Sequence, residues 1–193
     1  VGSEMCIRDR EFDEASASSS FDFSRAHTRM SVERSLVRLG TECVEVVLVH
    51  SDGRDEWIAR ESGAMEELER LRDEGKVRVI GMSTKSREGG LAAVERVRGA
   101  GGMQSGGGAA NSASSAAVMV TYNVEAREEG TVIDAAARAG VGVLVKKGLA
   151  SGRVGDAGEA IRFALRHPGV SSLIVGTTNA GHLETNVRAA MEG

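Results

Sequence analysis

Proline occurs once in this 193-residue sequence, cysteine twice, and Trp and Tyr once each, with aromatics at only 3% of the chain. So few aromatics, set against 25 glycines and 41% hydrophobic residues, argue against an all-β protein and suit an α/β one rich in Val and Ala. Cys6 and Cys43 have no metal-ligand or redox spacing, which leaves no basis for a disulfide framework or a thiolate metal site and suits a reducing cytoplasm. No apolar run approaches the ~18–20 residues that a membrane span needs. The N-terminus also lacks a charged-then-apolar signal pattern. A net charge of −4 and a pI near 5.7 give no basic footprint, so neither nucleic acid nor an anionic membrane is expected as a partner. The bias of arginine over lysine, 20 to 4, reads as coding preference and carries no chemistry.

What is present centres on residues 44–52, V-E-V-V-L-V-H-S-D. Apolar, mostly β-branched residues run almost unbroken and end on His50 and Asp52. A strand apolar on both faces belongs in a parallel sheet covered by helices, and ligands bind just past the carboxyl ends of such strands. A histidine in that place can also be merely packed and hydrogen-bonded.

The rest of the chain repeats the pattern. Residues 1–20 read as a disordered or spurious leader ending in a serine-rich connector, and structure is expected from Phe21. Ser24 is a candidate N-cap for a helix with Val32, Leu36 and Leu39 on one face and Gly40 as its stop. A polar loop over 51–57 leads to a helix capped by Ser62, with Met65, Leu68 and Leu71 inward. Further strands are expected at 77–81, 118–122, 141–145 and 172–175, and helices at 91–97, from Thr131 with a capping box to Asp134, from Asp156 with a second box to Glu159, and from Asn179 with Leu183, Val187 and Ala190 buried. Residues 99–117, almost wholly Gly, Ala and Ser, read as a low-complexity insertion unable to offset its ordering entropy. A Gly-rich phosphate loop there would need a strand-loop-helix context and a Lys-Ser/Thr ending, neither of which is present. Each strand ends in polar or Gly residues: His50, Ser83 and Thr84, Asn123, Lys146 and Lys147, Gly176 and Thr177. The repeat of strand and helix fits a TIM-type barrel, and by periodicity alone it fits a flavodoxin-like open sheet equally.

Four segments resemble the aldo/keto reductase family, in the right order, over residues 21–190 apart from the insertion. They are S-L-V-R-L-G-T with L-V-H after it, L-R-D-E-G-K-V-R-V-I-G-M-S-T, V-T-Y-N-V, and H-P-G-V-S-S-L-I-V-G-T-T-N with H-L-E-T-N. The resemblance implies a (β/α)8 barrel, of which about five C-terminal βα units are present. It also implies an NADP- or NAD-dependent oxidoreductase that reduces an aldehyde or ketone, a small-molecule carbonyl. In that family hydrogen-bond donors aimed at the carbonyl oxygen stabilise the charge it gains as hydride arrives.

Carried over residue by residue, the resemblance makes His50 the tetrad histidine that orients the carbonyl. Ser83 and Thr84 match the pair holding the nicotinamide carboxamide, where the family more often has Asn in the second place. Met119 stands where a Gln commonly makes the same contact, and Lys146 where an aromatic commonly stacks on the nicotinamide ring. Lys146 and Lys147 together could face the pyrophosphate or form a solvated pair, and Gly148, Leu149 and Ser151 match the loop crossing it. Gly176 and Thr177 open the phosphate loop before the last helix, a helix N-terminus suited to an anion, although Thr177 also suits a plain turn. His182 takes the place of an Arg that grips the 2′-phosphate of NADP, and Asn186 that of a residue facing adenine. No metal site is expected.

The family's tetrad Asp, Tyr and Lys come from strands before this region. The one tyrosine, Tyr122, is on the wrong strand, and the first lysine is Lys76. The chain as given is therefore expected to be an inactive fragment. The alternative is a non-catalytic barrel relic serving as a binding or regulatory module. Substrate identity and oligomeric state are not legible.

Overall fold

A computed structural model describes residues 4–7, 10–13, 18–100 and 116–192. Its frame is a parallel sheet in which strands follow one another in chain order: β4 (Val44–His50), β5 (Val77–Ser83), β6 (Ala116–Thr121), β7 (Gly142–Lys146) and β8 (Ser172–Leu173). Between and after them run α1 (Arg25–Leu39), α2 (Asp55–Arg60), α3 (Gly63–Asp73), α4 (Arg87–Ala100), α5 (Gly130–Ala139), α6 (Ala157–Leu165) and α7 (Ala180–Met191). Sequential parallel strands with helices on the outer face are the arc of a (β/α)8 barrel. The expected partial TIM-type barrel of about five units is what the chain builds.

Alternation along the strands divides the side chains between two faces. Val47, Val49, Ile80, Met82, Val118, Val120, Val143 and Val145 turn outward and join the main core with Leu68, Leu71, Val132 and Ile133 of the helices. Leu48, Ala117, Met119 and Leu144 turn inward and form a second, smaller core with Val46 and Val79. The inner face is tight at Gly81, where a Cβ would lie 1.7 Å from the Ala117 carbonyl oxygen.

The helix ends follow the sequence in part. Ser24 caps α1 by accepting from the His27 N–H, and Gly40 ends it in the left-handed region at φ 66°. Asp156 and Asn179 cap α6 and α7 as expected. The other two caps do not form. Ser62 has N-cap dihedrals, but its hydroxyl donates to the Ile58 carbonyl, because the last turn of α2 lies within its reach. Thr131 donates to Glu128 O, and Glu129 takes the N-cap position, so the Thr131–Asp134 box is absent.

Other differences have clear physical origins. Residues 1–20, read as a disordered or spurious leader, contain three strands, β1 (Glu4–Ile7), β2 (Arg10–Asp13) and β3 (Ser18–Phe21). β1 pairs in parallel with β4, whose N–H and C=O groups would otherwise be an open edge, and β2 and β3 form an antiparallel hairpin. The loop expected over 51–57 gives way to α2 at Asp55, and α4 is longer than residues 91–97. Most of the expected insertion, residues 101–115, lies outside the described residues; its ends belong to α4 and β6. Leu39, expected on the buried face, is 53% exposed in the last turn of α1. On α7 only Ala189 is buried, while Leu183 and Val187 are about half exposed and Ala190 is exposed, because α6 is that helix's principal neighbour.

Opposite the polar strand ends, a charged cluster ties α1 to α3 and to the start of β5. Arg29 bonds Glu33, Glu67 and Glu74, and Lys76 bonds Glu33 and Glu74. Paired with both cations, Glu74 has its carboxyl lowered to about 2. A charged cluster at this end of a barrel serves stability, since the chemistry of the fold sits at the other end.

Candidate functional site

The carboxyl ends of β4 to β7 bring several of the singled-out residues together. His50 pairs in register with Ser83, and Ser83 with Met119. Parallel register thus sets His50, Ser83 and Met119 side by side on the inner face, one layer above Leu48, Gly81 and Ala117. The Ser51 N–H donates to the Ser83 carbonyl and the Thr84 N–H to that of Met119, which carries the ladder past the strand ends. Ser83 and Thr84 are fully buried, His50 is half-buried, and Met119 is buried.

Lys146 completes this group. It pairs with Thr121 at the end of β7 and reaches across β6 to β5, where its Nζ donates to Ser83 Oγ at 3.0 Å and to the Thr84 carbonyl. Its reading as half of a solvated loop pair does not hold; Lys147 is the exposed member. The Thr84 hydroxyl is buried without a partner among the described residues. A buried hydroxyl in that state marks a place for a further hydrogen-bonding group, water or ligand.

Three residues, of which the sequence marked only Asn123 and that merely as a polar strand end, hold these loops in place. Asp55, 2% exposed, accepts from the Lys85 and Ser86 N–H groups and from the Ser86 hydroxyl, so it fixes the turn that carries Ser83 and Thr84 into α4. Its close approach requires Gly89, where a Cβ would lie 2.0 Å from that of Asp55. Asn123, 3% exposed, accepts from the Glu125 and Ala126 N–H groups and donates its amide to the Lys147 carbonyl. Glu129, 5% exposed, receives the Thr121 N–H at the head of α5, and burial pushes its carboxyl up to about 7 against the opposing pull of the Lys146 charge. Asn123 carried a visible signal, since an Asn just after a strand favours an Asx turn. Asp55 and Glu129, in the charged runs R-D-E-W and R-E-E-G, carried none.

The loop after β7 is unusual in backbone. Lys147, Ala150 and Ser151 have φ of 55°, 45° and 62°, three non-glycine residues in the left-handed region within five positions. Such conformations cost of order 1–2 kcal/mol each and persist where surroundings impose them, often at ligand-binding loops. Gly148 is buried against Leu173, whose Cδ1 would be 2.6 Å from an added Cβ, and Leu149 opens the short turn Ala150–Gly152.

The remaining candidates stand apart from this group. Gly176, Thr177 and His182 are exposed and Asn186 is half-buried, all on the segment from β8 into α7. Thr177 accepts from the Asn179 N–H, as a turn residue does, and Asn179 caps the Gly181 and His182 N–H groups that were expected to meet an anion. Tyr122 packs on the outer core, stacked on Phe163 and edge-on to His167, away from the inner face. Among the described residues no cluster of His, Cys, Asp and Glu could hold a metal, and no helix is long and apolar enough to cross a membrane.

Comparison with known proteins agrees with this architecture. A sequence profile of the aldo/keto reductase family matches residues 12–159. Among solved structures, a Pseudomonas aeruginosa protein assigned as an aldo-keto reductase is 40% identical with a TM-score of 0.77, over 97% of this chain and 64% of that one. An aldo-keto reductase from Bacillus halodurans in its holo form shares the fold at 20% identity and a TM-score of 0.67, over 88% of this chain and 63% of its own. The chain thus spans somewhat under two thirds of the length of these relatives. No curated protein matches it.

Proposed function

Because the chain belongs to the aldo/keto reductase family, we propose that it carries the cofactor side of an active site that reduces the carbonyl of a small aldehyde or ketone with NADPH or NADH. The observation that supports this most is the meeting of His50, Ser83, Thr84 and Lys146 at adjacent strand ends. Ser83 Oγ and the Thr84 carbonyl accept an N–H donor, here the ammonium of Lys146, and the NH2 of a nicotinamide carboxamide has the same donor chemistry. The unpartnered Thr84 hydroxyl adds a further polar group to the same place. The cofactor, when bound, supplies the hydride.

His50 is the residue of this chain that would donate a hydrogen bond to the carbonyl oxygen and stabilise its growing charge. Lys147 and the loop through Gly148, Leu149 and Ser151 would lie along the pyrophosphate, with Gly176 and Thr177 beyond it. His182 and Asn186 would face the adenosine end, where a neutral imidazole offers neither the full charge nor the paired contact that a guanidinium gives a 2′-phosphate. Met119, the register partner of Ser83, would offer the nicotinamide end an apolar contact.

The one tyrosine of the chain, Tyr122, packs on the outer core and does not supply the site with the family's proton donor. The 193-residue chain alone is therefore expected to reduce no carbonyl. Joining residues 21–193 to the part of the P. aeruginosa relative that the chain lacks, and assaying NADPH-dependent reduction of an aldehyde panel, tests the reading. Turnover that falls at least ~100-fold in His50→Ala supports it. A folded hybrid without turnover, or turnover indifferent to His50, counts against it.

A further inference from the structure

Glu129, at the head of α5, and Lys146, the last residue of β7, act on each other across the end of β6. The Glu129 carboxylate receives the backbone N–H of Thr121 on β6, and Thr121 is the register partner of Lys146 on β7. Lys146 in turn spans the end of β6 to reach Ser83 and Thr84. Glu129 is 5% exposed, and its second oxygen, Oε2, is buried without a hydrogen-bond partner among the described residues. A buried carboxylate oxygen with a spare lone pair beside a cation is costly in a fixed structure unless the two groups interact. The charged groups that act on Glu129 are Lys146 from β7, Asp55 from α2 and its own neighbour Glu128.

We propose that Glu129 is a positioning residue for the Lys146 ammonium: ionised, it draws the lysine back over β6, and neutral, it leaves the lysine on Ser83 Oγ and the Thr84 carbonyl. The proposal rests on the reading of Ser83 and Thr84 as the carboxamide site, because its consequence is that the two acceptors are free or filled according to the charge on Glu129. Burial places the change about neutrality, with the Glu129 carboxyl near 7. The cation at this site is then not a fixed ornament of the strand end but a group whose place the buried carboxylate sets.

The test is an NMR titration of the 193-residue chain, with 13C labels on lysine Cε and glutamate Cδ, from pH 5 to 9. The Lys146 Cε resonance is expected to shift with a midpoint about pH 7, to lose that step in Glu129→Gln, and to keep it in Glu128→Gln. Reciprocity requires Lys146→Met to raise the midpoint of the Glu129 Cδ resonance, since the ammonium favours the ionised carboxylate. A flat Lys146 resonance, a step that survives Glu129→Gln, or a Glu129 midpoint unmoved by Lys146→Met overturns the proposal. No cofactor enters the measurement, so its failure is distinct from failure of the carboxamide reading, which NADPH binding tests.

Discussion

The side-chain amide of Asn123 donates to the carbonyl of Lys147 at 2.9 Å, which ties the end of β6 to a residue held at φ 55°. Its carboxamide oxygen is at the same time occupied by the Glu125 and Ala126 N–H groups. One buried side chain therefore fixes two loops of the candidate site and helps to impose the left-handed backbone of the second.

Asn123→Ala should destabilise the chain by about 1–3 kcal/mol, because it removes the bonds of a buried carboxamide to the Glu125 N–H and the Lys147 carbonyl, while the Ala126 N–H keeps its bond to the backbone carbonyl of residue 123. The signature is local as well as global. Amide exchange across residues 147–152 should rise more than that across β5, and equal rises in both would mean that the tie is not what orders the loop.

Gly89→Ala tests the fit of Asp55 against α4. The new methyl would sit 2.0 Å from the Asp55 Cβ, so either helix must move, at a cost of about 3 kcal/mol or more. Gly155→Ala, where a Cβ meets nothing within 4 Å, is the control and should leave the melting temperature nearly unchanged. Equal melting temperatures for the two variants would show that α2 is not seated as described.

Glu129→Gln should stabilise the chain at alkaline pH and leave it unaltered at pH 4. The Glu129 carboxyl is raised from 4.5 to about 7, so the folded state favours the protonated form; that contribution is whole below pH 4.5 and is lost as pH rises through 7. Glutamine cannot ionise and escapes the loss. At 1.36 kcal/mol per pKa unit the gain over the parent is at most about 3 kcal/mol by pH 8, read from urea melts at both pH values.

The outer stripe of α7, Leu183, Val187 and Met191, is 54%, 51% and 83% exposed. An apolar stripe of that kind favours association. Val187→Glu is expected to lower self-association in sedimentation velocity while changing stability by no more than about 0.5 kcal/mol. A large loss of stability would mean that Val187 is buried in solution.

Much of this was legible in the sequence, for a physical reason. The runs ending at His50, Ser83 and Lys146 announce buried parallel strands, since β-branched apolar residues with a polar terminus fit little else, and the family motifs fix their order. Capping was read well where an Asp or Asn precedes the helix, as at Asp156 and Asn179, and poorly at Ser62 and Thr131, whose hydroxyls instead bond local carbonyls four and three residues back. The supports of the site were hidden because their partners are remote: Asp55 acts on Ser86 and Gly89, and Asn123 on Lys147. Leu183 and Val187 misled in the opposite direction, as periodicity shows that a face is apolar but not whether this chain covers it.

The most direct measurement is a titration of the 15N-labelled chain with NADPH to millimolar concentration, followed by backbone amide shifts. Weak binding at the carboxyl ends of the strands should move His50, Ser83, Thr84 and residues 146–151 and leave α1 and the charged cluster about Arg29 unmoved. Amides at His50, Ser83, Thr84 and Lys146 that stay in place throughout, whether or not others shift, would contradict the assignment of the site.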